Sequence, residues 1–306
     1  MPDLLEGLVA IVTGAGRGIG GEHALALARH GAAVVVNDLG AELHGGGRSS
    51  EPAESVVEQI RSAGGRAIAN ADDIAEPEGA QGILCAALGE FGDVHALINN
   101  AGILRDRMLV NMTVDDFDAV IRVHLRGAFC MAQPLAAYWR QRRNDGLDVF
   151  GRIINTTSPT GLYGNVGQTN YAAAKAGIAM MTMVWASELG RYGDITVNAI
   201  SPAARTRMTE KVLGPQAGDG GWNPNDPANV PPLAVWLASR EAATVTGRVF
   251  NVYGGHLSLA EPWRRGPSSE RSGVWDPTEM GSVVESLLEG SVRIDPMGRV
   301  ISEVGQ

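Results

Sequence analysis

Tyr171 and Lys175 are the pair of side chains in this 306-residue chain whose spacing most clearly indicates chemistry. They lie four residues apart in Tyr171-Ala-Ala-Ala-Lys175, a segment of helical composition, so both should share one helix face. A phenol with a pKa near 10 is a poor base at neutral pH, but a neighbouring ammonium favours its ionised form. We therefore predict that Tyr171 is a catalytic base and that Lys175 lowers its pKa.

Ser158 lies thirteen residues before Tyr171, directly after a predicted strand. The carboxyl ends of parallel strands are where doubly wound folds bind their ligands. A serine at a strand end is commonly a turn residue, but its position relative to the Tyr-Lys pair favours a catalytic role. We predict that Ser158 also binds the substrate, by a hydrogen bond to the substrate oxygen.

A glycine-rich segment, Thr13–Gly21, follows the first predicted strand and opens into an Ala- and Leu-rich helix. Glycines in this context let the backbone turn tightly and approach a pyrophosphate at the positive end of the helix. Two registers of the dinucleotide-binding fingerprint fit the segment: Gly16, Gly18 and Gly21, or Gly14, Gly18 and Gly20. We predict a dinucleotide site that includes Gly14, Gly18 and Gly20.

Asp38 ends the second predicted strand, 18 residues after Gly20. A carboxylate there can accept hydrogen bonds from the adenosine ribose and would repel a 2′-phosphate. This favours NAD as the cofactor over NADP. Arg17, in the glycine-rich segment, could partly offset the repulsion, and a plain turn residue is the alternative interpretation of Asp38.

Short apolar runs alternate with helical segments along the chain, a pattern typical of an α/β fold with a parallel sheet. We predict one Rossmann-type domain over residues 1–257, with a doubly wound parallel sheet of seven strands, and a C-terminal extension over residues 258–306 that packs on the core or on a neighbouring subunit. Residues 39–52 and 214–232 are predicted surface loops. The predicted strands are Leu8–Thr13, Ala33–Asn37, Arg66–Ala69, Val94–Asn99, Arg152–Thr157, Ile195–Ile200 and Arg248–Val252. The predicted helices include Ile19–His30, Ala53–Ala63, Val114–Arg142, Gln168–Gly190 and Glu279–Glu289.

The composition restricts the partners of the chain. With 25 basic and 34 acidic residues the net charge is −9, which is the wrong sign for a nucleic-acid binder. No apolar run is long enough to cross a membrane, and the N-terminus does not have the pattern of a signal peptide. Only Cys85 and Cys130 are present, so we expect a reducing cytoplasmic location. We also expect a small-molecule substrate and no metal.

These motifs together resemble the short-chain dehydrogenase/reductase family over roughly residues 5–255. The resemblance rests on Thr13–Gly20, Asn99-Asn-Ala-Gly102, Ser158, Tyr171 and Lys175. Within the family the chain is most similar to the (3R)-hydroxyacyl-CoA dehydrogenase domains of type 2 peroxisomal multifunctional enzymes. That closer similarity is carried by residues 34–40, 99–107, 123–127 and 162–168.

The resemblance implies further site residues and an assembly. Ile19, Asp38, Asp73, Ile74 and Asn99 would line the adenosine half of the cofactor site. The segment Ala203 to Thr206 would line its nicotinamide side, with Lys175 and Tyr171 binding the nicotinamide ribose region. The helices at 114–142 and 168–190 would pack against their copies in a homodimer or a homotetramer.

Two residues depart from the broad family pattern. His124 stands where most members have Asn, and Ala203 follows Pro202 where most have Gly. A histidine in a long helix is more often a core residue than a catalyst, so we leave His124 out of the catalytic set.

The preferred hypothesis is an NAD-dependent oxidation of a (3R)-hydroxyacyl-CoA to its 3-oxo form. An NADP-dependent 3-oxoacyl carrier-protein reductase and a dehydrogenase of steroids or other alcohols are alternatives. A non-catalytic nucleotide-sensing protein is a third class, which the Ser-Tyr-Lys set disfavours.

Overall fold

The computed structural model of the chain describes residues 3–209, 222–261, 263–292, 294–295, 298–299 and 301. Eight strands form one sheet. In chain order they are β1 Val9–Thr13, β2 Ala33–Asn37, β3 Arg66–Asn70, β4 Ala96–Asn99, β5 Phe150–Thr156, β6 Asp194–Ala203, β7 Val249–Tyr253 and β8 His256–Ala260. Their order in the sheet is β3-β2-β1-β4-β5-β6-β7-β8. Every residue of β1, β2, β4 and β5 is buried, as expected for parallel strands that helices cover on both faces. The doubly wound α/β fold predicted from the sequence is confirmed.

The sheet has one strand more than the seven predicted. Strands β1 to β7 are parallel, but β8 pairs antiparallel with β7, with Tyr253 opposite His256. The two residues between them, Gly254-Gly255, make a tight hairpin connection in which Gly254 has φ +51°. This hairpin places β8 across the predicted boundary between residues 257 and 258.

Helices cover the sheet on both sides. They are α1 Gly18–Arg29, α2 Glu51–Ser62, α3 Pro77–Phe91, α4 Val114–Ile121, α5 Gly127–Asn144, α6 Pro159–Tyr163, α7 Thr169–Leu189, α8 Pro231–Ala238 and α9 Met280–Glu289. One apolar core lies under α1, α2 and α8, and a second lies under α3, α5 and α7.

The single helix predicted over Val114–Arg142 is interrupted. Between α4 and α5, residues Arg122–Arg126 form a wider π-helical turn, although the backbone stays helical throughout. The turn adds a residue to the helical path and carries His124 into the protein interior.

The two predicted loops differ in how much of each the structure describes. Residues 39–49 are half-buried or exposed and have no regular structure, in agreement with a surface loop. The predicted end of this loop is wrong, because Glu51 and Pro52 already belong to α2 and Pro52 is buried. Of the second loop, residues 214–221 lie outside the described residues, and Pro231-Pro232 already belong to α8. None of the helices within the described ranges combines the length and the apolar character that crossing a lipid bilayer requires.

Candidate active site

The strand order reverses between β1 and β4, which lie side by side in the sheet. Strands β2 and β3 follow outward from β1 on one side, and β5 to β8 follow outward from β4 on the other. Crevices at such switch points are the ligand sites of open α/β sheets. The structure brings the predicted site residues to the carboxyl edge of the sheet around this crevice. They are Gly14, Arg17, Gly18, Ile19 and Gly20 after β1, Asp38 after β2, Asp73 and Ile74 after β3, Asn99 at the end of β4, Ser158 after β5, Tyr171 and Lys175 on α7, and Ala203 and Thr206 at and beyond the end of β6.

The glycine-rich turn is held tightly against the neighbouring loop. Gly14 and Gly18 have φ of +62° and +54°, and a Cβ on Gly14 would lie 2.6 Å from the Cα of Ala101. The Asn100 side chain donates to the carbonyls of Thr13 and Gly14, both at 3.1 Å. Asn100 is a positioning residue that the sequence analysis missed, since its partner lies 87 residues away.

Asp38 is fixed at the edge of this turn. One carboxylate oxygen accepts from the backbone N–H of Gly16 at 2.8 Å and the other from Gly40 at 2.7 Å. A carboxylate oxygen can accept more than one hydrogen bond, so both remain able to accept from a ribose hydroxyl. The side chain of Arg17 is exposed just before α1 begins.

Asp73 makes strong contacts within the protein. It accepts from the guanidinium of Arg122 at 2.8 Å and from the backbone of Ala75 at 2.9 Å. Burial raises the pKa of Asp73, but these hydrogen bonds and the charges of Arg122 and Arg48 outweigh it, and the net pKa is lowered. The adjacent Ile74 is buried.

Asn99 joins two strands and leaves one polar atom free. Its amide donates to Asn155 Oδ1 at 2.9 Å, while its own Oδ1 is buried without a hydrogen-bond partner within the described part of the chain. That oxygen belongs to a residue lining a small cavity of about 10 Å³, together with Thr13, His124 and Lys175. This volume is about that needed for one water molecule.

The three predicted catalytic residues lie together. Ser158 is the N-cap residue just before α6, and its Oγ accepts from the N–H of Thr160 at 3.2 Å. Lys175 is buried, its Nζ donates to the carbonyl of Thr156 at 2.6 Å, and it lies 5.7 Å from the centre of the Tyr171 ring. The Thr157 hydroxyl donates to the Lys175 carbonyl at 2.7 Å, which ties α7 to the end of β5.

The predicted lowering of the Tyr171 pKa is not found in this structure. Burial raises the pKa of Tyr171 to about 12, in spite of a hydrogen bond with Ser158 that lowers it, and the charge of Asp106 raises it further. Burial also lowers the pKa of Lys175 to about 7. Both shifts have one cause, because removal from water disfavours the charged form of each group. The phenol of Tyr171 is therefore neutral at physiological pH, whereas Lys175 is protonated in about half of the molecules near pH 7.

His124 is buried, as the core interpretation predicts, and it also contacts Tyr171. Its ring meets that of Tyr171 edge-on, with centroids 5.2 Å apart, and its Nε2 lies 2.8 Å from the carbonyl oxygen of Ile103. Burial and the charge of Lys175 lower its pKa to about 3, although the bond to Ile103 opposes this. The ring is therefore neutral at physiological pH and supports one side of the phenol.

The start of α7 is anchored by another residue that the sequence analysis missed. Asn170 is buried, and its amide donates to the carbonyls of Arg105 and Asp116 at 2.9 and 3.0 Å. Its Oδ1 accepts from the backbone N–H of Tyr171. Asn170 thereby fixes the first turn of the catalytic helix to the loop after β4.

The residues present fit a dinucleotide. A Cβ on Gly18 would lie 3.4 Å from Thr206 Cγ2, and one on Gly16 would lie 2.8 Å from the Asp38 carboxylate, so side chains at these glycines would occupy the crevice. The helix α1 begins at Gly18 within the glycine-rich turn, and helix N-termini attract phosphate groups. Within the described ranges, no cluster of three or more His, Cys, Asp or Glu could hold a metal ion.

Comparisons with known proteins agree with this geometry. Residues 8–216 match the family model of short chain dehydrogenases. The chain is 45% identical over 291 residues to the hydroxyacyl-CoA dehydrogenase ChsB1 of Mycobacterium tuberculosis, covering 94% of this chain and 90% of that protein. It is 41% identical over 264 residues to the peroxisomal multifunctional enzyme type 2 of Mus musculus, covering 86% of this chain but 34% of the mouse protein.

One solved structure resembles this chain in both fold and sequence. The crystal structure of a short chain dehydrogenase from Mycobacterium avium superposes with a TM-score of 0.85 at 49% identity, covering 94% of this chain and 96% of that one. With its glycine-rich turn, its Ser158-Tyr171-Lys175 set and these relatives, the chain belongs to the short-chain dehydrogenase family, whose members are oxidoreductases that use nicotinamide cofactors.

Proposed function

We propose that this enzyme oxidises a (3R)-hydroxyacyl-CoA to the 3-oxoacyl-CoA with NAD. The observation that carries the proposal is the convergence of Ser158, Tyr171 and Lys175 beside the glycine-rich turn. The names of the relatives support the substrate class, since the M. tuberculosis protein is called a hydroxyacyl-CoA dehydrogenase.

In this proposal each catalytic side chain has one task. Ser158 donates a hydrogen bond to the substrate oxygen and orients it, and Tyr171 Oη takes the hydroxyl proton. Lys175 supplies positive charge next to the phenol and helps bind the nicotinamide ribose. Bound NAD supplies the acceptor for the hydride that leaves the substrate carbon, so the alcohol loses two electrons and two hydrogens in all.

Asp38 supports NAD over NADP. Its carboxylate is held at the rim of the glycine-rich turn by two backbone N–H groups, where it would accept hydrogen bonds from the adenosine ribose and repel a 2′-phosphate. The adenosine half of the site would also include Ile19, Asp73, Ile74 and Asn99. Ala203 and Thr206 would face the nicotinamide half.

The alternatives make different demands on the same site. An NADP-dependent reductase would need Arg17 to overcome the charge of Asp38, whereas a steroid dehydrogenase would need only a differently shaped entrance. A nucleotide-sensing protein would have no use for the three catalytic side chains.

We further propose a homodimer or a homotetramer built through α5 and α7. Large apolar side chains on these helices are exposed in the single chain: Phe129, Met180 and Val184. The extension after β8 also fits a role between subunits, because α9 is amphipathic in sequence and has no buried residue. A reducing cytoplasmic location stays a prediction, consistent with the unpaired Cys85 and Cys130.

The test is a substrate panel. Purified protein is assayed by NADH absorbance at 340 nm with (3R)- and (3S)-hydroxyacyl-CoA thioesters, with hydroxysteroids, and in reverse with 3-oxoacyl thioesters and NADPH. We expect the highest kcat/KM with NAD and a (3R)-hydroxyacyl-CoA. A higher value for a hydroxysteroid or for NADPH-dependent reduction would replace the proposal with that alternative, and absence of turnover would support the nucleotide-sensing class.

A further inference from the structure

Two chain segments lie next to Ser158 and Tyr171, because Thr160 donates to Ser158 Oγ and the Arg105 carbonyl accepts from Asn170, the residue before Tyr171. The first, residues 103–108, follows β4 and is here called the β4 segment. The second, residues 160–168, runs from α6 to the start of α7 and is called the α6 segment. A hydrogen bond from the N–H of Arg107 to the carbonyl of Gly167, at 2.9 Å, joins them along the backbone.

The side chain of Gln168 links these segments through both ends of its amide. Its Nε2 donates to the carboxylate of Asp106 in the β4 segment at 2.9 Å. Its Oε1 accepts from the Thr160 hydroxyl at 3.0 Å and from the Asn165 amide at 2.8 Å, both in the α6 segment. One side chain thus contacts three residues of the two segments.

The location of Gln168 makes this bridge relevant to the reaction. Thr160 lies two residues after Ser158, and Gln168 lies three residues before Tyr171. A shift of the amide would therefore move the first turn of α6 and the first turn of α7 relative to each other. Displacements of about 1 Å between reacting groups can cost on the order of 100-fold in rate.

We propose that Gln168 and Asp106 are positioning residues, whose amide–carboxylate bridge holds the β4 segment against the α6 segment and so fixes Ser158 and Tyr171 for the substrate oxygen. The inference rests on the proposed function, because it concerns the same site. It adds a residue pair that touches neither the substrate oxygen nor the glycine-rich turn.

Asp106 has a second effect that separates it from Gln168. Its negative charge lies near enough to Tyr171 to raise the pKa of the phenol. Removal of the charge and removal of the bridge should therefore change different quantities: the pH dependence of turnover in the first case, and KM together with kcat in the second.

The experiment first replaces the amide donor at position 168 by a carboxylate and then replaces the carboxylate at position 106 by an amide donor. In Gln168→Glu, the new carboxylate can still accept from Thr160 and Asn165 but faces Asp106 with like charge. We expect KM for the alcohol to rise and kcat/KM to fall at least about fivefold, with the affinity for NADH unchanged. Adding Asp106→Asn gives an amide that can donate to the carboxylate introduced at position 168, and the double variant should recover to within about twofold of the unaltered enzyme.

Two further variants complete the set. Asp106→Asn alone keeps an acceptor for Gln168, so KM should stay the same while the acid limb of kcat/KM moves to lower pH. Gln141→Glu is the matched control, because Gln141 donates to the Asp145 carboxylate at 2.9 Å on the exposed end of α5, and it should change nothing.

Hydrogen exchange provides a readout that needs no substrate. Amides of residues 107–110 should exchange faster in Gln168→Glu and return to their original rates in the double variant. The inference is overturned if Gln168→Glu keeps kcat/KM and exchange rates within about twofold of the unaltered enzyme, or if the double variant is as impaired as the single one. Failure of the unaltered enzyme to oxidise any hydroxyacyl-CoA would instead refute the proposed function, and the kinetic test would then use the best alcohol of the panel.

Discussion

At the scale of single residues, the site contains two ionisable groups that burial drives towards neutrality. Tyr171 has its pKa raised to about 12 and Lys175 has its pKa lowered to about 7. A base of this kind acts only where a further positive charge or a hydrogen bond stabilises the phenolate. Without substrate, Ser158 supplies a hydrogen bond to the phenol of Tyr171, and in the proposed reaction its single O–H donates to the substrate oxygen instead. The loss of any of the three side chains should therefore affect the proton transfer.

Tyr171→Phe removes only the hydroxyl that accepts the proton. We expect kcat to fall by about 100-fold or more, because general-base catalysis contributes on the order of 10²–10⁴. NADH affinity, measured by fluorescence titration, should stay within about twofold, since Lys175 and the glycine-rich turn are unchanged. Tyr192→Phe, beyond the far end of α7, is the control, and substantial turnover by Tyr171→Phe would remove the residue from its role.

Asp38→Ala tests the choice of cofactor. The carboxylate should favour NAD by accepting from the ribose hydroxyls and by repelling a 2′-phosphate. Its removal should weaken NAD binding and strengthen NADP binding, so that the preference for NAD falls by about tenfold or more in the ratio of the dissociation constants. Glu42→Ala, in the exposed loop after β2, is the matched control, because it also removes one negative charge. Equal affinity of the unaltered enzyme for NAD and NADP would contradict the assignment of NAD as the cofactor.

At the scale of elements, the parts that could be predicted from sequence are those whose contacts are local or periodic. The strands β1 and β2 could be predicted because their apolar runs are buried on both faces, and the pair Tyr171 and Lys175 because i and i+4 share a helix face. The π-helical turn at His124 could not be predicted, since its contacts with Tyr171 and Ile103 join residues distant in sequence. The Asp106–Gln168 bridge joins residues 62 positions apart and has no sequence signal.

A buried guanidinium lies near the amino ends of the strands, opposite the candidate active site. Arg152 in β5 has no exposed surface, makes two bonds to the Asp194 carboxylate at 2.9 and 3.0 Å, and donates to the carbonyl of Ser239 after α8. It thereby joins β5 and β6 to the end of a covering helix.

Arg152→Leu should destabilise the fold without altering the site. It leaves the Ser239 carbonyl and part of Asp194 without a partner, at a cost of about 2–3 kcal/mol in the free energy of unfolding. Urea denaturation followed by circular dichroism measures the loss, and Arg143→Leu on the exposed end of α5 is the control. An unchanged free energy of unfolding would show that the buried charge contributes no net stability.

At the scale of the whole molecule, two buried histidines make stability depend on pH. Burial lowers the pKa of His23 to about 4 and that of His124 to about 3. Below about pH 6.5 the unfolded chain binds protons at these rings while the folded chain does not, so their stabilising contribution is complete above about pH 6.5. It is lost as the pH falls to about 4 for His23 and to about 3 for His124. Each ring contributes a slope of at most about 1.4 kcal/mol per pH unit in this window.

His23→Leu should reduce that slope. Leucine fills a similar volume within α1 and has no proton to bind, so the variant should lose stability less steeply between about pH 6.5 and about pH 4. The free energy of unfolding in urea at several pH values provides the measurement. His256→Leu, on the exposed edge strand β8, should keep the original slope, and an equal slope in His23→Leu would contradict the prediction.

Assembly is the remaining property at this scale. Phe129 on α5 and Met180 and Val184 on α7 are 51%, 48% and 45% exposed in the single chain, and a hollow of about 240 Å³ lies between the two helices. A monomer would leave this apolar surface in water, whereas a two-fold axis through the face would cover it twice with the same residues. The same packing would stiffen α7, which carries Tyr171 and Lys175 near its start.

Val184→Asp tests this assembly. The Val184 side chain is partly exposed to solvent in the single chain, so the fold should tolerate the change. In an isologous interface the variant buries two unpaired carboxylates at once, at a cost of several kcal/mol each. Light scattering at micromolar concentration should therefore give a dimer or tetramer for the unaltered protein and a monomer for Val184→Asp, with a lower kcat for the monomer. Leu147→Asp, beyond the end of α5, should keep the original mass, and a fully active monomer in the unaltered protein would show that α7 needs no partner to hold Tyr171 in place.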